Sequence, residues 1–345
     1  MNRTALVLLI LTGGLIFSLF AGLLLGPAEI AISQIPEFLL HPLIADTTSS
    51  TTSVSPWQSS VLWDIRLPRL IVGALAGSCL AICGAVMQGM FRNPLASPSI
   101  LGVSSGASLG AVISIYLGLA SVSVWALPLF AFIGAGLTLF LIYRISSQRG
   151  HAVIGTLLLA GVAMAAFNSA LSSLILALSL DSWGVGQMII YWTMGGLDGR
   201  TWDHVFLILP PALLGISLLL LFSRPLDALL LGETHASSVG VDVARTRLYL
   251  LLITSCLDGA AISVCGGVSF IGLVVPHIMR LVLGPHHRYL LPASALGGAL
   301  CLVAADLFLR TLSPEQAIPL GVVTAAFGAP FFLFLLVRKR WSMSL

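Results

Sequence analysis

Ionisable side chains inside apolar segments are the first candidates for chemistry in this sequence. Asp258, His277, Arg280, Asp306 and Arg310 all lie within or at the ends of long hydrophobic stretches. Charged groups are costly in a bilayer and often act as proton relays in carriers. However, Asp306 and Arg310 are four residues apart and can pair on one helix face. We therefore favour structural pairing for this pair, while Asp258 has no evident partner.

Three arginines lie beside hydrophobic stretches at the ends where positive charge is unexpected. They are Arg66, Arg69 and Arg310. Exposed guanidinium groups bind carboxylates in bidentate geometry, which suits docking of an acidic protein surface. Local pairing with Asp64 and Asp306 explains the same residues equally well. The residues alone leave both interpretations open.

A long polar loop is a second candidate site, since loops without a function are usually short. Residues 225–240 predict a short amphipathic helix, a glycine at Gly232, a second short helix and a closing Gly240. Two short helices ending in glycine make a compact knob that would fit the groove of a partner protein.

Two motifs of common enzymes are missing from the sequence. It contains no G-x-x-x-x-G-K-[ST] nucleotide loop and no H-E-x-x-H, while a G-x-S-x-G pattern occurs at 102–106 and at 106–110, within the apolar stretch of a predicted span. Five cysteines lie inside apolar segments without a histidine or carboxylate that would complete a metal set. We expect no catalytic residue, no bound metal and no cofactor on this chain.

The elements that position these residues are membrane helices. Of the 345 residues, 58% are hydrophobic and only 8% are charged, whereas soluble domains carry about 25% charged residues. The mean hydropathy is +1.05. A bilayer span needs about 20 apolar residues, and candidate spans nearly fill the chain. We predict an all-α polytopic membrane protein forming a single domain over 1–345. Its ten predicted spans are 4–26, 65–90, 98–118, 124–143, 152–178, 203–222, 246–266, 269–283, 291–311 and 318–337.

The distribution of positive charge predicts the orientation. If the N-terminus lies in the cytoplasm, only Arg66, Arg69, Arg200 and Arg310 of the sixteen basic residues fall on the opposite side. This agrees with the positive-inside rule and places both termini in the cytoplasm. Residues 181–200 are too polar to span and predict an interfacial helix and turn on the outer side. The polar run 47–55 predicts a flexible loop.

An internal similarity suggests two inverted halves. A shift of 182 residues places 81–86 on 263–268, Pro94 on Pro276 and 101–102 on 283–284. Five spans separate the matched helices, so the halves would have opposite orientation, as in many transporters. Chance matching of glycine- and valine-rich segments explains the similarity equally well. Glycines at four-residue spacing, such as Gly73 and Gly77, predict close helix packing.

Several long motifs resemble one family of membrane permeases. They are RLPRL at 66–70, GAVMQGMFRNPLASPSILGVSSGAS at 84–108, TLLLAGVA at 156–163, LGETHASSVGV at 231–241, the stretch 266–310, and IPLGVVTAAFGAPFFLFLL at 318–336. The chain is similar to the membrane subunits of ABC importers for iron–siderophore complexes, haem and vitamin B12. The resemblance covers the chain from about residue 60 onward.

This resemblance implies a type II importer architecture in the bacterial inner membrane. Two permease copies, here expected as a homodimer, would surround one pathway. Two ATPase subunits, which bind ATP and Mg²⁺, would lie on the cytoplasmic side, and a periplasmic binding protein would dock on the other. The cargo would be a metal chelate, with iron–siderophore preferred over haem or cobalamin. An oxyanion such as molybdate, or an ion-gradient-driven secondary carrier, are the alternatives.

The resemblance also implies roles for individual residues. The loop at 225–240 would transmit ATPase motion, and Arg66, Arg69 and Arg310 would meet acidic residues of the binding protein. A cytoplasmic gate would lie at Asn93, Leu95, Gly155 and Thr156, although Gly155 carries no polar side chain. The pattern positions in the coupling loop are Gly232, Glu233, Ala236 and Gly240.

Overall fold

The computed structural model describes residues 3–26, 56–148, 151–152, 154–180, 183–312 and 318–342. Nearly all of this is helical, which confirms the predicted fold class. The predicted loop at 47–55 lies outside the described residues. In order the elements are α1 (Arg3–Leu24), α2 (Pro56–Ser60), a π-helical turn (Val61–Arg66), α3 (Leu67–Met90), a 3₁₀ turn (Pro98–Leu101), α4 (Val103–Tyr116), α5 (Leu119–Val122), α6 (Ala126–Ser146), β1 (Ser147–Gln148), β2 (His151–Ala152), α7 (Ile154–Leu178), α8 (Trp183–Met194), α9 (Trp202–Leu221), α10 (Ser223–Leu230), α11 (Glu233–Ser238), α12 (Val243–Cys265), α13 (Ile271–Leu283), α14 (His287–Leu312) and α15 (Leu320–Ser342).

Helices long and apolar enough to cross a bilayer account for seven of the ten predicted spans in the described part of the chain. The other three predicted spans fall on shorter apolar helices, α4, α13 and the described apolar part of α15. At 1.5 Å per residue, the 14 residues of α4 and the 13 residues of α13 are too short to cross about 30 Å of hydrocarbon alone, whereas α15 continues to Ser342, beyond its described apolar part. Seven full spans are thus found by length and composition in the described residues, and the predicted count of ten is not confirmed.

Helix α3 is the central element of the fold. It packs against α14, α12, α13 and α9, and 18 of its 24 residues are buried. Glycine makes this possible, because a Cβ at Gly77 would overlap the backbone carbonyl of Gly298 on α14. Gly106 of α4 and Gly134 of α6 meet in the same way. The predicted role of these small residues in close packing within one chain is confirmed.

The two halves of the chain share one packing pattern. Helix α3 packs against α13 and α14, and α12 packs against α4 and α6. The 182-residue shift places Gly77 on Gly259, and these two glycines face equivalent helices, since Gly77 faces Gly298 of α14 while Gly259 faces Ala135 of α6. The start of α3 and the end of α12 lie together, because Asp198 contacts Arg69 and the Gly196 N–H donates to the Cys265 carbonyl at 2.8 Å. The two helices are therefore antiparallel, as inverted halves require.

The shift fails beyond these helices because the following connections differ in length. Residues 91–102 join α3 to α4, whereas only 266–270 join α12 to α13. Pro94 lies in a connection while Pro276 lies inside α13, so the predicted match of these prolines is wrong. The equivalent positions are the N-caps of the short helices. Gly102 and Phe270 both adopt left-handed backbone, with φ of 72° and 66°.

Candidate functional site

Charged side chains collect at both ends of the α3–α14 pair. We call the first group the arginine cluster: Arg66, Arg69, Asp198, Asp306 and Arg310. The second comprises α10, α11 and the glycines that flank α11, residues 223–240, which we call the helical loop. The two groups lie at opposite ends of α14, since Asp306 and Arg310 are in its last turns and His287 is its first residue.

Arg69 is the centre of the arginine cluster. Its Nε and Nη2 donate to both oxygens of Asp306 at 2.7–3.1 Å, and its Nη1 donates to Asp198 at 2.6 Å. The Asp306 side chain is 3% exposed, whereas that of Asp198 is 65% exposed. One guanidinium thus joins α3 to α14 through a buried carboxylate. The same guanidinium also binds the exposed carboxylate of Asp198 at the protein surface.

The other two arginines cap the end of α1. Arg66 Nη1 donates to the carbonyls of Leu23 and Leu24, and Arg310 Nη2 donates to that of Leu25 at 3.0 Å. The last carbonyls of a helix lack partners within it, and a guanidinium fork satisfies them. Arg66 is only 2% exposed, so the expected exposed guanidinium is absent there. The expected Asp306–Arg310 pair is also wrong, because Asp306 pairs with Arg69 instead.

Asp227 of α10 fastens the helical loop to α14. Its Oδ1 accepts from the backbone N–H of His287 at 2.8 Å and lies 2.7 Å from His287 Nδ1. The carboxylate thereby satisfies an orphan N–H at the start of a helix, where negative charge is favoured. Burial raises the pKa of Asp227, but the hydrogen bonds from His287 outweigh it and hold the pKa below its usual value.

Glu233 of α11 fastens the second half of the loop to α12. It accepts a hydrogen bond from Arg247 Nη2 and its side chain is 51% exposed. This bond lowers the pKa of Glu233. Gly232 and Gly240 flank α11 with φ of 114° and 86°, conformations that side chains strain to adopt. Ala236 is buried beneath the short helix. The contacts of Asp227, His287 and Arg247 were not predicted, because their partners are distant in sequence.

The four predicted gate residues lie on two separate elements. Asn93 and Leu95 lie in the connection after α3, where Asn93 Oδ1 accepts from the Leu95 N–H at 2.9 Å. Gly155 and Thr156 begin α7. Gly155 is exposed, and a Cβ there would meet nothing within 4 Å.

Asp258, which the sequence left without a partner, lies in the interior. Its Oδ2 accepts from Ser104 Oγ at 2.8 Å, in the first turn of α4. It borders a cavity of about 300 Å³ between the first turns of α4 and α13. A buried carboxylate needs a hydrogen-bond partner, and the Ser104 hydroxyl provides one for Asp258.

A second polar network at the start of α4 was not predicted. Buried Asn168 of α7 donates to Ser105 Oγ and to Thr138 Oγ1, both at 3.1 Å. The network joins α4, α6 and α7. An amide inside an apolar span signals such a network, since a buried polar group needs partners. Within the described ranges, no group of three or more His, Cys, Asp or Glu side chains could hold a metal ion.

A polytopic helical bundle with a charged helical loop at one end is the architecture of a transport permease. The chain belongs to the FecCD transport family, which matches residues 14–338. It is a multi-pass permease subunit of an ABC importer of the family that carries iron chelates, haem or vitamin B12.

Individual relatives carry different cargoes. The chain is 46% identical to the cobalamin import system permease protein BtuC of Halobacterium salinarum, over 80% of this chain and 73% of that protein. It is 43% identical to the Fe(3+) dicitrate transport system permease protein FecD of Escherichia coli, over 83% and 90%. A solved structure of an inward-facing metal-chelate type ABC transporter has a TM-score of 0.83 at 30% identity, covering 96% of this chain and 98% of that one.

Proposed function

We propose that this permease imports a metal held in a bulky organic chelate from the periplasm to the cytoplasm, powered by a separate ATPase. The observation that carries the proposal is the helical loop. It is anchored to α14 through Asp227 and to α12 through Glu233, while Gly232 and Gly240 leave its surface free of side chains at two turns. A partner that moves this loop pulls directly on two membrane helices.

We further propose that two ATPase subunits bind the helical loop and supply the ATP and Mg²⁺ site. The permease acts as a homodimer in the inner membrane, with both termini cytoplasmic. This orientation puts the helical loop on the cytoplasmic side and the arginine cluster on the periplasmic side. The charge distribution supports it, because most basic residues then lie inside. α8 lies beside the outer membrane surface in this orientation.

At the other end, a binding protein docks through acidic side chains on Arg69 and Arg310. Asp198 is the natural exchange partner, because it is exposed while Asp306 stays buried. A carboxylate of the docking protein can replace Asp198 on Nη1 without exposing the α3–α14 contact. Arg66 serves a different purpose, since its side chain is buried against the end of α1. It positions α1 rather than meeting the partner.

Transport then follows from closure of the ATPase pair. The loops move with the ATPase subunits, α12 and α14 move with the loops, and the pathway changes the side to which it opens. Asn93, Leu95, Gly155 and Thr156 gate its cytoplasmic end. A pathway that binds its cargo weakly releases what it admits. Iron–siderophore is the first cargo to test, with haem, cobalamin and molybdate beside it.

The test is ATP hydrolysis in liposomes containing the permease and its ATPase, with and without the binding protein. Gly240→Asp places a charged side chain on the face of the helical loop. Gly118→Asp is the matched control, because both glycines have positive φ and open space around the Cβ position, but Gly118 follows α4 instead of the loop. We expect stimulation by the binding protein to vanish in Gly240→Asp and persist in Gly118→Asp.

If the binding protein stimulates ATP hydrolysis in Gly240→Asp as strongly as in Gly118→Asp and in wild type, the helical loop has no part in coupling. Uptake that follows an ion gradient in liposomes without ATPase would instead support the secondary carrier. The cargo is read from the same liposomes, as ATP-dependent accumulation of each labelled compound in the presence of the binding protein.

A further inference from the structure

An apolar groove runs between α6 and α12 on the surface of the bundle. Its volume is about 500 Å³. Phe132, Gly136 and Phe140 line one wall, and Leu252 lies in the other. At one end the groove closes with Tyr143 and Arg144.

The length of the groove matches one leaflet of a bilayer. From Phe132 to Arg144 the helix rises about 18 Å at 1.5 Å per residue, and half of the hydrocarbon core is about 15 Å. Two contacts give the orientation of the groove. Gly259, near the end of α12, faces Ala135 and Phe132 of α6. Arg247, near the start of α12, binds the helical loop. The Arg144 end is therefore the end of the helical loop.

Charge distinguishes this groove from a second one of similar size. Arg144 lies in the last turn of α6, is exposed, and forms no ion pair with any residue that the structure describes. The second groove, between α13, α14 and α15, has a volume of about 520 Å³ and no charged side chain in its lining. An arginine at the end of an apolar groove can reach a lipid head group while its stem covers apolar surface. Basic residues at this depth attract anionic lipids.

We propose that the α6–α12 groove binds an anionic phospholipid of the leaflet on the side of the helical loop. One acyl chain fills the groove between Phe132 and Phe140, and the phosphate meets Arg144 and the Tyr143 hydroxyl. A bound lipid there fills the space between two helices that belong to opposite halves of the chain. This binding site is separate from both charged clusters and does not depend on the identity of the cargo.

The test counts lipids on the full-length permease by native mass spectrometry during titration with phosphatidylglycerol or phosphatidylcholine. Two variants address the two parts of the site. Arg144→Gln removes the charge, with Arg245→Gln as control, because Arg245 is an exposed arginine at the same end but outside the groove lining. Gly136→Leu fills the groove, with Gly13→Leu as control, because a Cβ has open space at both glycines.

We expect wild type to bind one phosphatidylglycerol more tightly than phosphatidylcholine. Arg144→Gln weakens phosphatidylglycerol binding about fivefold, and Gly136→Leu reduces it to the phosphatidylcholine level, while both controls behave as wild type. Equal binding of the two lipids by wild type overturns the proposal. So does a loss in Arg144→Gln without one in Gly136→Leu, which indicates surface charge alone. If Gly136→Leu loses binding while Arg144→Gln does not, the groove holds an apolar occupant without a phosphate contact, and the proposal is likewise overturned.

Discussion

The two ends of α14 are held by carboxylates in different environments. At the arginine cluster, Asp306 is 3% exposed and binds a guanidinium on α3. At the helical loop, Asp227 is 32% exposed and binds His287, while Glu233, which holds the loop to α12, is 51% exposed. Removing one partner of a buried ion pair costs far more than removing one partner of an exposed pair. We therefore expect the Arg69–Asp306 contact to stay intact during transport, and the contacts of the helical loop to break more easily.

The sharpest test of this difference uses two aspartates that share Arg69. Asp306→Asn leaves Arg69 facing a neutral group inside the bundle, and we expect a loss of about 3–5 kcal/mol in the free energy of unfolding. Asp198→Asn removes the exposed partner of the same guanidinium and should cost less than about 1 kcal/mol. Chemical unfolding in detergent measures both. Equal losses would show that the two carboxylates are held alike.

Loosening the loop should affect coupling more than stability. Asp227→Ala removes the acceptor of the His287 backbone and side chain, which should cost about 1–3 kcal/mol in the free energy of unfolding. It should also lower the amount of cargo moved per ATP hydrolysed in proteoliposomes. Asp227→Asn keeps one acceptor oxygen and should retain most of that ratio. A normal ratio in Asp227→Ala would mean that α10 transmits no motion to α14.

The smallest expected effect is the pH dependence of the Glu233–Arg247 contact. The pKa of Glu233 is lowered in the folded protein, so its contribution to stability is present above its usual pKa of 4.5 and is lost as the pH falls through the lowered value. Solvent screening limits the contribution to below about 1 kcal/mol. The midpoint of unfolding, measured from roughly pH 6 to pH 3, should fall less steeply in Glu233→Gln than in wild type as the pH is lowered. Identical slopes would contradict the contribution of this ion pair.

Composition and periodicity were enough to predict the helical fold. A bilayer demands apolar helices of known length, and every predicted span coincides with a helix. The short helices α4 and α13 were predicted as ordinary spans, because apolar sequence continues into the connection before each of them. Backbone conformation decided their true starts at Gly102 and Phe270, and for a phenylalanine no local pattern indicates a positive φ.

Partners of charged residues were harder to predict than their presence. Asp306 was assigned to Arg310 because they are four residues apart, but its partner Arg69 is 237 positions away. Asp227 and His287 are likewise separated by 60 positions. Local spacing favours pairs on one helix, whereas these bonds exist because tertiary packing brings two helix ends together. The bonds that fix both clusters were therefore outside the reach of local patterns.

Contacts at both ends make α14 a direct connection between two surfaces, which we call the rod. Its length of 26 residues corresponds to about 39 Å at 1.5 Å per residue. The helix is continuous from His287 to Leu312, with one internal proline, Pro292, in its second turn. If a partner that binds the Asp227 end favours one position of the rod, a partner at the Arg69 end that prefers that position binds more tightly. Thermodynamic reciprocity then requires the second partner to strengthen binding of the first by the same factor.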